Sequence, residues 1–197
     1  MRVDRYISSN RVIDLTHQDL NAAYCELLGT FKNLLPSPRT RKKVLNELIT
    51  REHAITSYLG EGVALPHARV KMKRPFALAI GRCPTGLSFG GQGSYDEIRY
   101  VFLLLASENA KNYLSFLATL ARTFQDKSVM DHLWMARDLS DFKNVVRHAF
   151  SGTDERPARR RTKFNKLLTD EAAKIAIAAD CSTILVFTDV FPASLAP

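Results

Sequence analysis

Apolar and polar positions change their period several times along this chain, and each change marks an element. Leu20, Ala23, Leu27, Phe31 and Leu34 recur at spacings of three and four, which predicts an amphipathic helix over 17–35 with Thr16 as its N-cap. Pro36-Ser37-Pro38 breaks that pattern, and a second helix is expected from about Arg39 to Arg51, with Val44, Leu45 and Leu48 inward. Val12-Ile13-Asp14-Leu15 reads as a short strand, and Phe76-Ala77-Leu78-Ala79-Ile80 as a buried one stopped at Gly81. Pro84-Thr85-Gly86-Leu87 is expected to be a turn and Gly90-Gly91-Gln92-Gly93 a loop. That loop lacks the GxxxxGK[ST] spacing of a nucleotide-binding turn. Ile98 to Ala106 is continuously apolar, so its strand is placed at the centre of a sheet. Three helices follow: one with Leu114, Leu117, Leu120, Ala121 and Phe124 inward, one over about 129–137, and one capped by Ser140 with Phe142, Val145, Val146 and Phe150 inward. Trp134 and Met135 are expected in the core beside Met130.

Strands interleave with helices, two helices coming early and several late. This is the pattern of an α/β sandwich with a mixed sheet rather than of a regular doubly wound repeat. The composition shifts after residue 150. Residues 151–167 read as a basic linker, and 168–197 as a helix–strand tail, with Thr169 as N-cap and Ile184-Leu185-Val186-Phe187 as the strand. One helix and one strand cannot bury their own apolar faces. The tail therefore docks on the domain of residues 1–150, pairs with a second subunit as a homodimer, or opens a truncated second domain.

Composition narrows the classes. The 197 residues are 46% hydrophobic and 24% charged, as in a soluble globular protein. The longest apolar run, Val101 to Ala106, is too short to cross a bilayer, and the N-terminus leads into no signal-type apolar segment. Cys25, Cys83 and Cys181 form no CxxC pair, which argues for a reducing cytoplasm and against disulfides or structural zinc. The net charge of +8 gathers at Arg39–Lys43, at Arg69–Arg74 and at Arg156–Lys166. Such clusters attract anions. No helix-turn-helix, zinc or aromatic-rich RNA motif accompanies them, so nucleic acid is not the expected partner.

One stretch carries chemistry: Tyr58-Leu59-Gly60-Glu61-Gly62-Val63-Ala64-Leu65-Pro66-His67-Ala68-Arg69. Gly60 and Gly62 permit positive φ, and Pro66 fixes the direction from which the chain enters His67. On spacing alone, a strand and turn with an incidental histidine stands level with a deliberately oriented imidazole. A neutral imidazole at cytoplasmic pH can carry a phosphoryl group on nitrogen. Such a transfer asks for in-line positioning and for donors around the phosphoryl oxygens. Gly60, Gly62 and Arg69 offer these locally, and Arg51 offers one from the end of the preceding helix. No metal or other cofactor is required when the donor is itself a phosphohistidine. His17, His53, His132 and His148 form no metal-ligand spacing and read as structural or solvent-facing, and Cys83 as a packing residue.

The run from Leu48-Ile49-Thr50-Arg51-Glu52 through Leu65-Pro66-His67 resembles the mannitol/fructose-type (type 2) enzyme IIA domain of the bacterial sugar phosphotransferase system, a family that includes nitrogen-regulatory IIA proteins. The likeness continues through Pro84 to Phe89, Val101 to Ala106 and Leu114 to Arg122, covering most of residues 10–150 in order. It implies a mixed, mostly five-stranded sheet between helices. It further implies that His67 accepts a phosphoryl group from an HPr-like carrier and passes it to a IIB domain or holds it as a regulatory mark, with Arg51 near the phosphate. One position departs from the family, which commonly places a second histidine where this chain has Tyr113. Tyrosine donates a hydrogen bond but carries no imidazolium charge. The alternative is a IIA-like regulatory or interaction module that no longer relays phosphate.

Overall fold

The computed structural model of the chain describes residues 2–87 and 98–151. After a single 3-10 turn at Asp4–Tyr6, its elements run β1 (Ile7–Asp14), α1 (Leu20–Gly29), α2 (Pro38–Ala54), β2 (Tyr58–Gly60), β3 (Val63–Ala64), β4 (His67–Val70), β5 (Phe76–Leu87), β6 (Ile98–Ser107), α3 (Tyr113–Phe124), α4 (Lys127–Met135) and α5 (Leu139–Ser151). The linker and tail expected over 151–197, and the loop at Gly90–Gly93, lie outside the described residues, apart from Ser151 at the end of α5.

The sheet is mixed and six-stranded, in the order β1-β5-β6-β3-β2, with β4 also paired to β6. β5 and β6 are antiparallel, while β1 runs parallel to β5, and β3 and β4 run parallel to β6. Five strands were expected, and the sixth arises because one strand path is split. Ala64 pairs with Val101 and His67 with Leu104, so β3 and β4 hold the same register on β6. Between them Pro66 has no N–H to give the ladder, although its carbonyl still accepts from the Leu104 N–H at 2.9 Å. The proline thus ends one strand and delivers His67 to the first position of the next.

As its unbroken apolar run predicts, β6 lies within the sheet and is buried on both faces. Tyr100, Phe102 and Leu104, with Phe76, Leu78 and Ile80 of β5, pack on α3, α4 and α5. Val101, Leu103 and Leu105, with Ala77 and Ala79, pack on α1 and α2. The period-two alternation of a strand divides one continuous apolar run between two cores.

Several local expectations are corrected. β5 does not stop at Gly81. A Cβ there would sit 2.7 Å from Leu15 Cδ1, so this glycine serves close packing and not termination. The expected turn at Pro84–Leu87 is the end of β5, where the register with β6 is irregular between Arg82 and Leu87; a broken ladder tolerates the proline. α1 is shorter than 17–35 and starts three residues later than Thr16 suggested. Asp19 is its cap, accepting from the Ala22 N–H, and residues 30–34 close as turns. Pro38, read as a breaker, opens α2 behind the cap Ser37, since a first-turn proline forfeits no helical hydrogen bond. Asp138 rather than Ser140 caps α5, accepting from the Asp141 N–H at 2.8 Å. Leu114, Trp134 and Met135 are exposed at 55%, 41% and 75%, so the apolar face of α3 is carried by Phe116, Leu117, Leu120 and Phe124 and that of α4 by Met130 and Leu133.

Candidate functional site

The approach to His67 is a tight hairpin between β2 and β3. Glu61 and Gly62 are its two central residues, at φ 52° and 72°, with Gly60 before them at 95°. Positive φ at both central positions is the twist a two-residue hairpin requires, and glycine adopts it without steric cost. The Gly62 carbonyl accepts from the Arg99 and Tyr100 N–H groups, and its own N–H bonds the Tyr58 hydroxyl. Val63 is opposite Tyr100, whereas His67 is opposite Leu104. The hairpin turn is thus at least four residues back along β6 from the histidine, about 13 Å at strand rise. Gly60 and Gly62 shape the entry to β4; the ladder does not bring them beside the imidazole.

His67 is the first residue of β4 and half-buried. Its Nδ1 lies 3.1 Å from the Leu65 carbonyl oxygen. A carbonyl only accepts, so Nδ1 carries the proton and Nε2 keeps its lone pair. Burial holds the ring's pKa down, from 6.5 to about 4, and the Arg51 charge pushes the same way, against the Leu65 hydrogen bond and the Glu52 carboxylate. The imidazole is therefore neutral throughout the physiological range, in one tautomer, with one nucleophilic nitrogen.

Arg51 and Glu52, adjacent on the last turn of α2, point to different neighbours. Arg51 Nη1 donates to the His67 carbonyl at 3.2 Å, tying the helix end to the backbone of the histidine. Glu52 is 5% exposed and accepts from the Tyr24 hydroxyl (2.7 Å), the Thr56 hydroxyl (2.9 Å) and the Ser57 N–H (2.9 Å). Burial and this carboxylate together push the Tyr24 phenol well above its usual pKa. The Ser57 carbonyl in turn accepts from the Leu65 N–H. A short relay of hydrogen bonds thus runs from α1 and α2 to Leu65, the residue whose carbonyl sets the histidine tautomer. Sequence reasoning did not select Glu52 as a site residue. Its signal was present: Glu52 continues the Val44, Leu48 stripe at a spacing of four, a carboxylate at a core position.

On the other side stand Arg69 and Tyr113. Arg69 follows His67 by two residues, so both leave the strand on one face. Its Nη2 donates to the Glu108 carbonyl at 3.0 Å, and its guanidinium carbon lies 5.2 Å from the centre of the Tyr113 ring. Tyr113 opens α3, is buried, and meets the His67 ring edge-on at 6.2 Å between centroids. The structure therefore gathers Arg51, Arg69 and Tyr113 around His67. The remaining histidines lie elsewhere. His17 precedes α1 and pairs with Glu26 at 2.6 Å, and His53 is in the last turn of α2. His132 and His148 are exposed on α4 and α5. Cys83 is buried, as expected of a packing residue. No described helix is long and apolar enough to cross a membrane.

Known proteins share this fold. The sequence model of the family described as "Phosphoenolpyruvate-dependent sugar phosphotransferase system, EIIA 2" matches residues 27–149. A nitrogen regulatory protein of Bradyrhizobium diazoefficiens is 30% identical over 131 residues, 66% of this chain and 78% of that protein. Among solved structures, the nitrogen regulatory protein IIA-Ntr of Neisseria meningitidis superposes with a TM-score of 0.61 at 22% identity, covering 73% of this chain and 98% of its own. The mannitol enzyme IIA of Escherichia coli, solved in complex with phosphorylated mannitol enzyme IIB, gives 0.52 at 19% identity, covering 69% and 94%. These two structures establish the mixed α/β fold, and the family match with the regulatory relative establishes descent: the chain belongs to the EIIA type 2 family of the phosphoenolpyruvate-dependent sugar phosphotransferase system.

Proposed function

We propose that this chain is a cytoplasmic phosphocarrier that takes a phosphoryl group on Nε2 of His67 from an HPr-like phosphohistidine protein and passes it to a IIB domain or a regulated target. The observation that carries the reading is the hydrogen bond from His67 Nδ1 to the Leu65 carbonyl, which leaves Nε2 as the one nucleophilic nitrogen of a neutral ring. In the transfer, the Nε2 lone pair attacks phosphorus, the donor's N–P bond breaks, and its electron pair returns to the donor imidazole. No redox change, water or metal enters. The ring of phosphorylated His67 gains positive character, and the Leu65 carbonyl on its Nδ1–H stabilises that charge. Arg69, on the same face, supplies a guanidinium for the phosphoryl oxygens, and Arg51 adds positive charge from the helix end. The first-turn N–H groups of α3, which opens at Tyr113, have no acceptors within the helix and favour an anion nearby.

The nitrogen regulatory relative and the tyrosine at position 113 favour one form of this role, in which phosphorylated His67 is a mark read by a target protein rather than a relay toward a sugar. Incubation with labelled phosphoenolpyruvate, enzyme I and an HPr-type carrier, followed by detection of acid-labile phosphate, tests the proposal. Label is expected on the wild type and none on His67→Ala. Absence of label on the wild type, or its persistence in the variant, overturns the phosphocarrier reading and leaves the interaction module.

A further inference from the structure

The face that carries His67 is cationic beyond the site itself. β4 runs directly into Lys71, Lys73 and Arg74, all exposed, with no carboxylate between His67 and Pro75. The connection from β6 to α3 is held against β4 by two hydrogen bonds, Arg69 to the Glu108 carbonyl and the Glu108 N–H to the Val70 carbonyl. It brings exposed Lys111 to within two residues of Tyr113. Glu108 is the one carboxylate of that connection, and Glu52 on the α2 side has its charge turned into the core. Two aliphatic side chains stand exposed next to elements of the site. Ile55, 51% exposed, bonds its N–H to the Arg51 carbonyl, and Leu114, 55% exposed, follows Tyr113. Apolar anchors within a charged border are the make-up of a transient protein interface. Nucleic acid would use exposed rings for stacking, and the ring at this site, Tyr113, is buried.

We infer that the protein partner of this face is acidic: the carrier or target that meets His67 presents carboxylates around an apolar patch, opposite Lys71, Lys73 and Lys111. The inference rests on the phosphocarrier reading for what the partner delivers, and on the surface alone for what the partner looks like. Like charge on the partner would slow encounter, whereas opposite charge raises association rates by roughly ten- to a thousand-fold at low salt.

The experiment uses the full chain and two purified HPr-type phosphocarriers, one with an acidic and one with a basic surface around its histidine. Binding of the unphosphorylated proteins is measured by titration at about 50 mM and about 500 mM NaCl, across the range in which screening becomes strong. The acidic carrier is expected to bind at least about tenfold more tightly at low salt, with the advantage lost at high salt and in Lys71→Glu/Lys73→Glu. Those two lysines are exposed in the β4–β5 connection, so the variant keeps its fold, checked by an unchanged far-ultraviolet spectrum. Equal binding, preference for the basic carrier, or a short DNA duplex binding as tightly as the acidic carrier each overturns the inference. Labelling of His67 by phosphoramidate, a small donor that needs no docking face, is followed in parallel. Its absence counts against the phosphocarrier reading, while the carrier preference remains readable.

Discussion

The two sides of His67 are built by different means. Toward α2, the surroundings are polar and joined by hydrogen bonds: Arg51 on the His67 carbonyl, and Glu52 on Tyr24, Thr56 and Ser57. Toward α3, they are a stack, with Arg69 over the Tyr113 ring and that ring edge-on to the imidazole. Hydrogen bonds to carbonyls and buried carboxylates have narrow geometry, so the α2 side determines where the ring sits and which nitrogen is free. Ring and guanidinium contacts are broad in geometry, so the α3 side sets the charge and shape beside the imidazole without dictating the ring's position. Substitutions on the two sides should therefore fail differently, the first in stability and the second in rate.

The largest effect is expected at the centre. His67→Ala removes the acceptor nitrogen and should abolish labelling altogether, with retention of the fold checked by the far-ultraviolet spectrum. Next comes Glu52→Ala. It leaves the Ser57 N–H without its acceptor and the Tyr24 hydroxyl with only the Ser57 hydroxyl at 3.2 Å, and should cost about 2 kcal/mol of unfolding free energy by urea titration. Labelling of the remaining folded protein should fall as well, because Ser57 and Leu65 lose their common anchor. A Glu52→Ala protein as stable as the wild type would show that the α2 side is not the rigid one.

This contrast was half legible in the sequence. The glycine–proline–histidine run and Arg51 stand within one short stretch, and a local constraint such as the missing N–H of Pro66 can be read residue by residue. The central place of β6 followed from its apolar run. What pattern alone could not supply is tertiary choice between equivalent local options. Asp19 caps α1 where Thr16 was also competent, and Gly81 continues a strand because Leu15 presses against it. Trp134 has the right period for the core of α4, yet it lies over the surface, where the Arg99 guanidinium carbon sits 4.7 Å from its ring centre. Glu52 was passed over because a carboxylate at a core position is recognised by its partners, and those come from α1 and from the loop before β2.

The titration of His67 reports on how dry the two sides together keep the ring. The folded protein holds this imidazole's pKa at about 4, below the 6.5 of the unfolded chain, so the unfolded state binds the proton first. Stability from this group is complete above pH 6.5 and is lost as pH falls toward 4, by at most about 3 kcal/mol. Urea titrations at the two ends of that range should show the wild type losing up to this much more than His67→Gln, which has nothing to titrate there. Labelling by phosphoramidate should stay level from pH 8 down to about 5, since the ring remains neutral over that span. A labelling midpoint near 6.5 would mean that water reaches the imidazole freely.

The smallest effect separates shape from chemistry on the α3 side. Tyr113→Phe keeps the ring under Arg69 and its edge against His67, and removes only the hydroxyl. If the ring's work is to seat the guanidinium, the rate of transfer to His67 should stay within about twofold of the wild type, the cation–π contact being worth about 1 kcal/mol with either ring. Tyr113→Leu fills part of the same volume without a π-face. It should slow transfer by about fivefold through loss of that contact, with most of its stability retained. A Phe variant as slow as the Leu variant would assign the effect to the hydroxyl, as a hydrogen-bond donor to the phosphoryl oxygens in the place where the family commonly has an imidazole. The α3 side would then act in the chemistry directly, and the division between a positioning side and a shaping side of His67 would have to be given up.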